Sequence, residues 1–360
     1  MSLLLAIVII FIYASPAEAA YHFSNYRGVP PIHIYGNASK TPRGTTPSQI
    51  KDIYNLPQSG GTGTIAIIGA YDDASIEADL GDFSKQFNLP ACTSRNGCFE
   101  KHGMSSSIKS NSGWAMETTL DVEWAHAIAP HAKILLVEAA TPSGANLLKA
   151  VDYAVARPGV VAISMSWGGG EFPEETGLDS HFVSKSGVAF FASSGDNGAG
   201  ASWPASSPNV IGVGGTSLAL RSDGKLLKET AWSGSGGGIS AYEKEPAYQK
   251  DYAIPRANGM RAIPDVAYNA DPASGFPIVR LGVWREVGGT SAGAPQWAAI
   301  AALGSDVTNE QLYNDKSGTG NAKYFRDITS GSNGDCGYLC EARKHYDYVT
   351  GLGSPQTSTF

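Results

Sequence analysis

Basic character is missing from this sequence. Its 360 residues carry 26 Lys and Arg against 33 Asp and Glu, a formal net charge of −7. That balance excludes nucleic acid as a partner. Charge of either sign is sparse, at 16% of residues. Fewer carboxylates then change state as pH falls, which suits a protein exposed to acid. No HExxH zinc-peptidase motif occurs, and no CxxC pair with a histidine cluster marks a zinc site. Beyond residue 13, no apolar run is long enough to cross a bilayer, so no stable membrane association is expected.

What is present begins with a leader. Residues 3–13 are apolar but short, and Ala17-Glu18-Ala19 supplies a small-x-small cleavage site. Residues 1–19 therefore read as a signal peptide, and a secreted, extracellular protein is expected. The four cysteines form two local pairs, Cys92/Cys98 and Cys336/Cys340, which in an exported chain predict two short-loop disulfides. Asn37-Ala38-Ser39 is a glycosylation acceptor in a host that glycosylates. Residues 20–42 are rich in Tyr, Pro and Gly without periodicity, and read as a linker or surface arm. Residues 43–360 read as one domain.

Thr46-Pro47-Ser48-Gln49-Ile50 carries the signals of a helix start. Short, continuously apolar runs follow at 64–70, 132–140, 160–166, 188–194 and 210–213. Unbroken apolar character suits strands buried on both faces. Helical patterns at 114–128 and 144–156 lie between them. The alternation predicts an α/β fold with a mainly parallel central sheet. In such sheets the site lies at the carboxyl ends of strands. Two glycine-rich segments lie at such ends, Ser164 to Gly169 and Ser193 to Gly198. The run from Ser233 to Gly238 lacks the Lys-Ser/Thr of a phosphate loop and reads as a flexible loop.

Chemistry concentrates at Gly288-Gly289-Thr290-Ser291-Ala292-Gly293-Ala294-Pro295. Glycines permit close backbone approach, and a helix start there would offer free N–H groups to a substrate oxygen. Pro295 fits an early helical turn. An active Ser291 needs a base. None of the seven histidines (His22, His33, His102, His126, His131, His181 and His345) sits in a His-Gly-Thr-His setting, and each reads as a surface or packing residue. Glu117 and Asp121 instead project from one helix face, one turn apart. Among Met116, Leu120 and Trp124 they can share a proton. Taken alone, two solvated acids on an outer face would be the simpler account. Asp196, in Ser-Gly-Asp-Asn-Gly, suits a turn equally well.

Glu117-x-x-x-Asp121, Ser166-Trp167-Gly168, Ser193-Ser194-Gly195-Asp196 and Gly289-Thr290-Ser291-Ala292 occur in this order. So do Ala70-Tyr71-Asp72-Asp73, Ser235-Gly236-Gly237-Gly238, Ile263-Pro264-Asp265-Val266-Ala267 and Thr350-Gly351-Leu352-Gly353. This ordered set, spanning 46–355, resembles the sedolisins, the serine-carboxyl peptidases. The resemblance implies a subtilisin-like fold, with helices on both faces of the sheet. It implies Ser291 as nucleophile, Glu117 as general base, Asp121 as its partner and Asp196 as a protonated oxyanion donor. Ser166, Trp167 and Gly168 would line the substrate cleft, with Trp167 also near the carboxylate pair.

One calcium ion is implied as well. Its ligands would be the Asp327 and Asp347 carboxylates and the carbonyls of Ile328, Arg343 and His345. The family has glycines at the last two positions, so glycine-only backbone angles are expected to be lost there. A long prosegment is also usual, whereas only the arm separates the leader from residue 46. The expected activity is a secreted, monomeric serine endopeptidase, or a tripeptidyl-type one, working on peptides and proteins at roughly pH 3–5. The alternatives are an inactive peptide-binding relative and a histidine-dependent subtilisin-like protease.

Overall fold

The computed structural model describes residues 23–304, 307–314 and 323–357. The leader at 1–19 and His22 lie outside the described residues. The elements that build the domain run in order along the chain. They are β1 (His33–Ser39), α1 (Pro47–Ile53), β2 (Thr64–Ala70), α2 (Ile76–Gln86), β3 (Phe99–Gly103), α3 (Ser112–Ile128), β4 (Lys133–Ala139) and α4 (Gly144–Val155). There follow β5 (Val160–Met165), β6 (Ala189–Ser193), β7 (Ile211–Leu220), β8 (Leu226–Ala231), β9 (Val266–Asn269), β10 (Phe276–Arg280), β11 (Val283–Gly288) and α5 (Gly293–Ala302).

The central sheet has the order β8-β7-β6-β5-β2-β4-β3, with β9 also paired to β7. Every pairing in it is parallel except β8 with β7. The continuous apolar runs have the expected cause. In β2, Ile65 and Ile67 join a core that includes α3 and α5, whereas Ala66 and Ile68 join a second core with α4. Successive side chains point to opposite faces, so a strand covered on both sides is apolar at every position. Helices therefore lie on both faces, as the resemblance implied.

Helix starts follow local rules. Thr46 caps α1 in a capping box with Gln49, with Pro47 in the first turn. Asn111 caps α3 through Gly113 N and Trp114 N. From Trp114 to Ile128, α3 is buried nearly all round, and only Met116 is partly open. The account of Glu117 and Asp121 as solvated acids on an outer face is thereby removed.

Both expected disulfides are present, Cys92–Cys98 and Cys336–Cys340. The run from Ser233 to Gly238 is not a flexible loop. Gly236 N donates to Gly195 O at 2.7 Å, and Ser194 Oγ donates to Gly236 O at 2.8 Å. A Cβ on Gly236 would strike the Ser194 carbonyl, so glycine here serves close packing against a strand end rather than mobility. The described part of the 20–42 arm does not leave the domain. It crosses the strand ends and becomes β1, which pairs antiparallel with β11, His33 opposite Gly288.

Candidate active site

The carboxyl ends of the parallel strands bring four segments together, as this class of sheet dictates. β11 delivers the nucleophile candidate. Its last residue, Gly288, leads to Gly289 at φ 125, a region open only to glycine. A Cβ there would also meet Asp196 Oδ2 at 2.5 Å and the Pro31 carbonyl. Ser291 lies in a short 3₁₀ turn, Thr290–Ala292, and α5 starts only at Gly293. The helix thus begins two residues later than Ser291. Pro295 falls in its first turn. Ser291 is fully buried.

The middle of α3 supplies the acid pair. Glu117 and Asp121 are both buried. Burial raises the Glu117 proton affinity well above the usual carboxylate range, and the neighbouring Asp121 raises it further. The Ser291 hydroxyl faces the same carboxyl and works in the opposite direction. Neither Glu117 oxygen, nor Ser291 Oγ, has a closed hydrogen bond. Asp121 is also raised by burial, opposed by the Ser166 hydroxyl and by Glu117. Two carboxyls so placed titrate as one unit and keep a shared proton.

Ser166 follows β5. Its Oγ donates to Asp121 Oδ1 at 2.6 Å and approaches the Ser291 carbonyl at 3.2 Å. This hydroxyl is spent inside the protein, tying the acid pair to the backbone of the serine turn. Trp167 is also fully buried, and its Nε1 donates to Ile68 O at 3.1 Å. Of the three residues expected to line the cleft, Gly168 offers backbone to it. Its N–H and carbonyl both pair with Val29, at 3.2 and 2.9 Å.

Asp196 follows β6 and lies beside the serine turn. Its Oδ1 accepts from Thr290 N and Thr290 Oγ1, both at 2.8 Å. Burial raises its proton affinity; His33 and the Thr290 donors oppose this. His33 Nε2 is 3.0 Å from Asp196 Oδ2, an ion-pair distance without the alignment of a hydrogen bond. Sequence reasoning missed His33, because it sits in a segment with no periodicity. It also missed the role of Thr290, although Thr290 lies inside the motif. A cavity of about 430 Å³ runs along this face, lined by 29–33, 168–170, 194–202 and Gly236.

The candidate calcium ligands gather around one loop. Asp347 is buried, and its carboxylate accepts from Arg343 N, Val349 N, Thr350 N and Thr350 Oγ1. Asp327 Oδ2 accepts from His345 N at 3.0 Å. His345 adopts φ 65, the left-handed backbone a glycine would take. The expected loss of that angle does not occur at this position. For a non-glycine residue it costs about 1–2 kcal/mol.

His126 and the cysteines do not compete for a catalytic role. His126 is buried, and its Nε2 is engaged with Pro90 O at 2.9 Å. Burial lowers its pKa to about 4. The Cys92 and Cys98 sulfurs near it are joined to each other.

The Subtilase family profile (Peptidase_S8) matches residues 47–317. Kumamolisin of Bacillus sp. (strain MN-32) is 32% identical over 88% of this chain and 63% of its own length. Sedolisin of Pseudomonas sp. (strain 101) is 27% identical over 88% of this chain and 60% of its own. The chain thus spans somewhat under two thirds of these relatives. Among solved structures, Pseudomonas sedolisin, a serine-carboxyl proteinase complexed with pseudo-iodotyrostatin, superposes with a TM-score of 0.76. That likeness has 27% identity and covers 88% of this chain and 96% of that one. With the carboxylate pair, the serine turn and the fold in agreement, this chain belongs to the subtilase family, in its sedolisin branch.

Proposed function

We propose that this chain is an acid-active serine-carboxyl peptidase. The observation that carries this reading is a buried Glu117–Asp121 pair facing the Ser291 hydroxyl, with Asp196 on the other side of the same turn. Ser291 Oγ attacks the substrate carbonyl carbon, and Glu117 takes its proton. The oxygen gains negative charge beside Asp196, which donates a hydrogen bond while protonated, as a neutral acid can in an apolar site. Glu117 returns the proton to the leaving amine, and the acyl group stays on Ser291. Water, deprotonated by Glu117, then releases the acid and restores the hydroxyl.

Two protonation states must coexist. The pair needs one ionised carboxyl to act as base, and Asp196 must keep its proton. Activity therefore peaks in acid, at roughly pH 3–5, and is lost toward neutrality. The substrates are peptides and proteins, and the chain acts as a secreted monomer. Acid digestion of casein, with Ser291→Ala and Glu117→Gln as controls, tests the reading. Digestion that survives either substitution, or that peaks at pH 7 or above, rejects it.

Calcium suits the donor set. Asp327, Ile328, Arg343, His345 and Asp347 offer carboxylate and carbonyl oxygens, the hard donors this ion prefers. The loop keeps its bend at His345. Bound calcium would tie the segment at 327–328 to the loop at 343–347.

A further inference from the structure

Three soft donors meet at the amino end of β3, opposite the strand ends that carry the serine turn. Cys92 and Cys98 close a short loop there, and His126 reaches it from the last turn of α3. The two sulfurs and a His126 ring nitrogen all lie within 4.8 Å of one another. No other His, Cys, Asp or Glu group of three is gathered in this way among the described residues. Cys92 and His126 are buried, and Cys98 is half-buried under the exposed stretch 94–97. Spacing concealed the arrangement in the sequence. C-x₅-C is not a usual zinc pattern, and His126 joins it only through the fold.

The His126 ring is set for a ligand. A carbonyl only accepts, so in the neutral ring the hydrogen sits on Nε2, which faces Pro90 O at 2.9 Å. Nδ1 keeps its lone pair, buried and without a hydrogen-bond partner. An imidazole with one nitrogen held by a backbone carbonyl and the other bare is the form that binds metals. The loop does not rely on its disulfide for shape. Asn96 Oδ1 accepts from Thr93 N at 3.1 Å and from Cys98 N at 3.0 Å, and Asn96 Nδ2 donates to Ala91 O at 2.8 Å. Phe99 N donates to Thr93 O, and Ile134 N donates to Cys98 O, which ties Cys98 into the sheet. Ser94 anchors the loop to α2 by two bonds to Glu77. With the S–S bond open, both cysteine backbones stay held, their Cα atoms 4.9 Å apart. Two sulfurs each about 2.3 Å from a tetrahedral zinc stand about 3.8 Å apart, a separation that rotation of the two side chains supplies.

We propose that Cys92, Cys98 and His126 form a zinc site that exists when the disulfide is reduced and is lost when it forms. The two Sγ atoms and His126 Nδ1 take three positions, and water takes the fourth on the side of Cys98. A dithiol supplies the change. Its thiolate attacks one sulfur, its second thiol resolves the mixed disulfide, and it ends as a cyclic disulfide. Cys92 and Cys98 gain two electrons and two protons. Zn²⁺ then displaces both thiol protons, and the neutral imidazole loses none. The oxidised dithiol, running the exchange backward, takes the electrons and releases the ion. The two states differ in what they join. The disulfide closes only residues 92–98, whereas zinc also ties that loop to the end of α3. This inference does not depend on the peptidase reading.

The test uses the full, untagged chain carrying Ser291→Ala, so that it stays intact. The chain is reduced with a dithiol, freed of it by gel filtration without oxygen, and given zinc at about pH 7.5 with calcium in excess. Elemental analysis should find one zinc on the reduced chain and none on the oxidised chain. X-ray absorption should show two sulfurs at about 2.3 Å and one imidazole nitrogen at about 2.0 Å. Zinc should raise the melting temperature of the reduced chain alone. Cys92→Ser and His126→Gln should each weaken binding at least about tenfold. Cys336→Ser with Cys340→Ser should leave it unchanged. A reduced chain that takes up no zinc, folded or not, overturns the proposal, as does equal binding by the oxidised chain. So does binding that survives Cys92→Ser at full strength, or that disappears with Cys336 and Cys340. A metal shell without the two sulfurs and the nitrogen also overturns it, and this measurement decides the role of His126 even where His126→Gln does not fold.

Discussion

Thr290 holds Asp196 twice, through its N–H and its hydroxyl, both 2.8 Å from the same oxygen, Oδ1. Oδ1 is thereby fixed, and Oδ2 is turned toward His33 Nε2, 3.0 Å away. Asp196→Ala should lower kcat by about 10²–10³, the usual loss for one oxyanion donor. Asp196→Asn keeps an N–H where Oδ2 stood and cannot ionise. It should retain more activity than the alanine variant, and its decline above the optimum should move to higher pH. Profiles of kcat/KM against pH read both effects.

Ser166 should control the acid side of the same profile. Its hydroxyl lowers the proton affinity of Asp121. Ser166→Ala removes that donor, so the pair holds its proton to higher pH, and the acid limb should shift upward. A purely structural role would reduce the rate at all pH values without moving the limb.

Gly289→Ala should abolish turnover and destabilise the fold. The backbone angle excludes alanine, and the methyl would press on Asp196 and the Pro31 carbonyl. A cost of about 1–3 kcal/mol is expected from the backbone alone. Differential scanning calorimetry and a casein assay measure the two consequences.

Stability should fall as pH rises. Burial lifts Glu138 to about 7, Glu243 to about 8 and Glu175 to about 9. Between roughly pH 4.5 and these values the folded chain keeps protons that the unfolded chain has lost. The stabilisation is complete below the unfolded value and is lost progressively from about pH 4.5, the loss ending for Glu138, Glu243 and Glu175 in turn as pH passes about 7, 8 and 9. Thermal melts from pH 4 to 9 should show a Tm that declines by several degrees across that range. A Tm that climbs toward pH 9 would contradict these assignments.

Chelation should lower the melting temperature at mildly acidic pH. A site with Kd far below the ambient calcium contributes about 2.7 kcal/mol at a hundredfold excess over Kd. An unchanged melt in EDTA, with no calcium by elemental analysis, excludes the ion.

Much of the fold was legible because it is written locally. β2 reads Thr-Ile-Ala-Ile-Ile-Gly-Ala because both its faces are covered. Thr46 and Pro47 announce α1 where it begins. The motifs named the four candidate catalytic residues, which the fold brings together at the carboxyl ends of the strands. What was not legible depends on partners far away in sequence. Nothing near His33 signals that its strand pairs with Gly288, or that its ring reaches Asp196. Ser166 read as cleft lining because its motif ends in Gly168, which does face the cleft; only packing against α3 turns the hydroxyl toward Asp121. The glycines from Ser233 to Gly238 looked slack because composition does not distinguish freedom from close contact.

The pairing of His33 with Gly288 has a mechanical meaning. β1 is bonded to β11, the strand that ends three residues before Ser291. Slack or tension introduced at one is transmitted to the other through a few backbone bonds. Ser291 thus follows the middle strand of a three-stranded sheet, bonded along both edges.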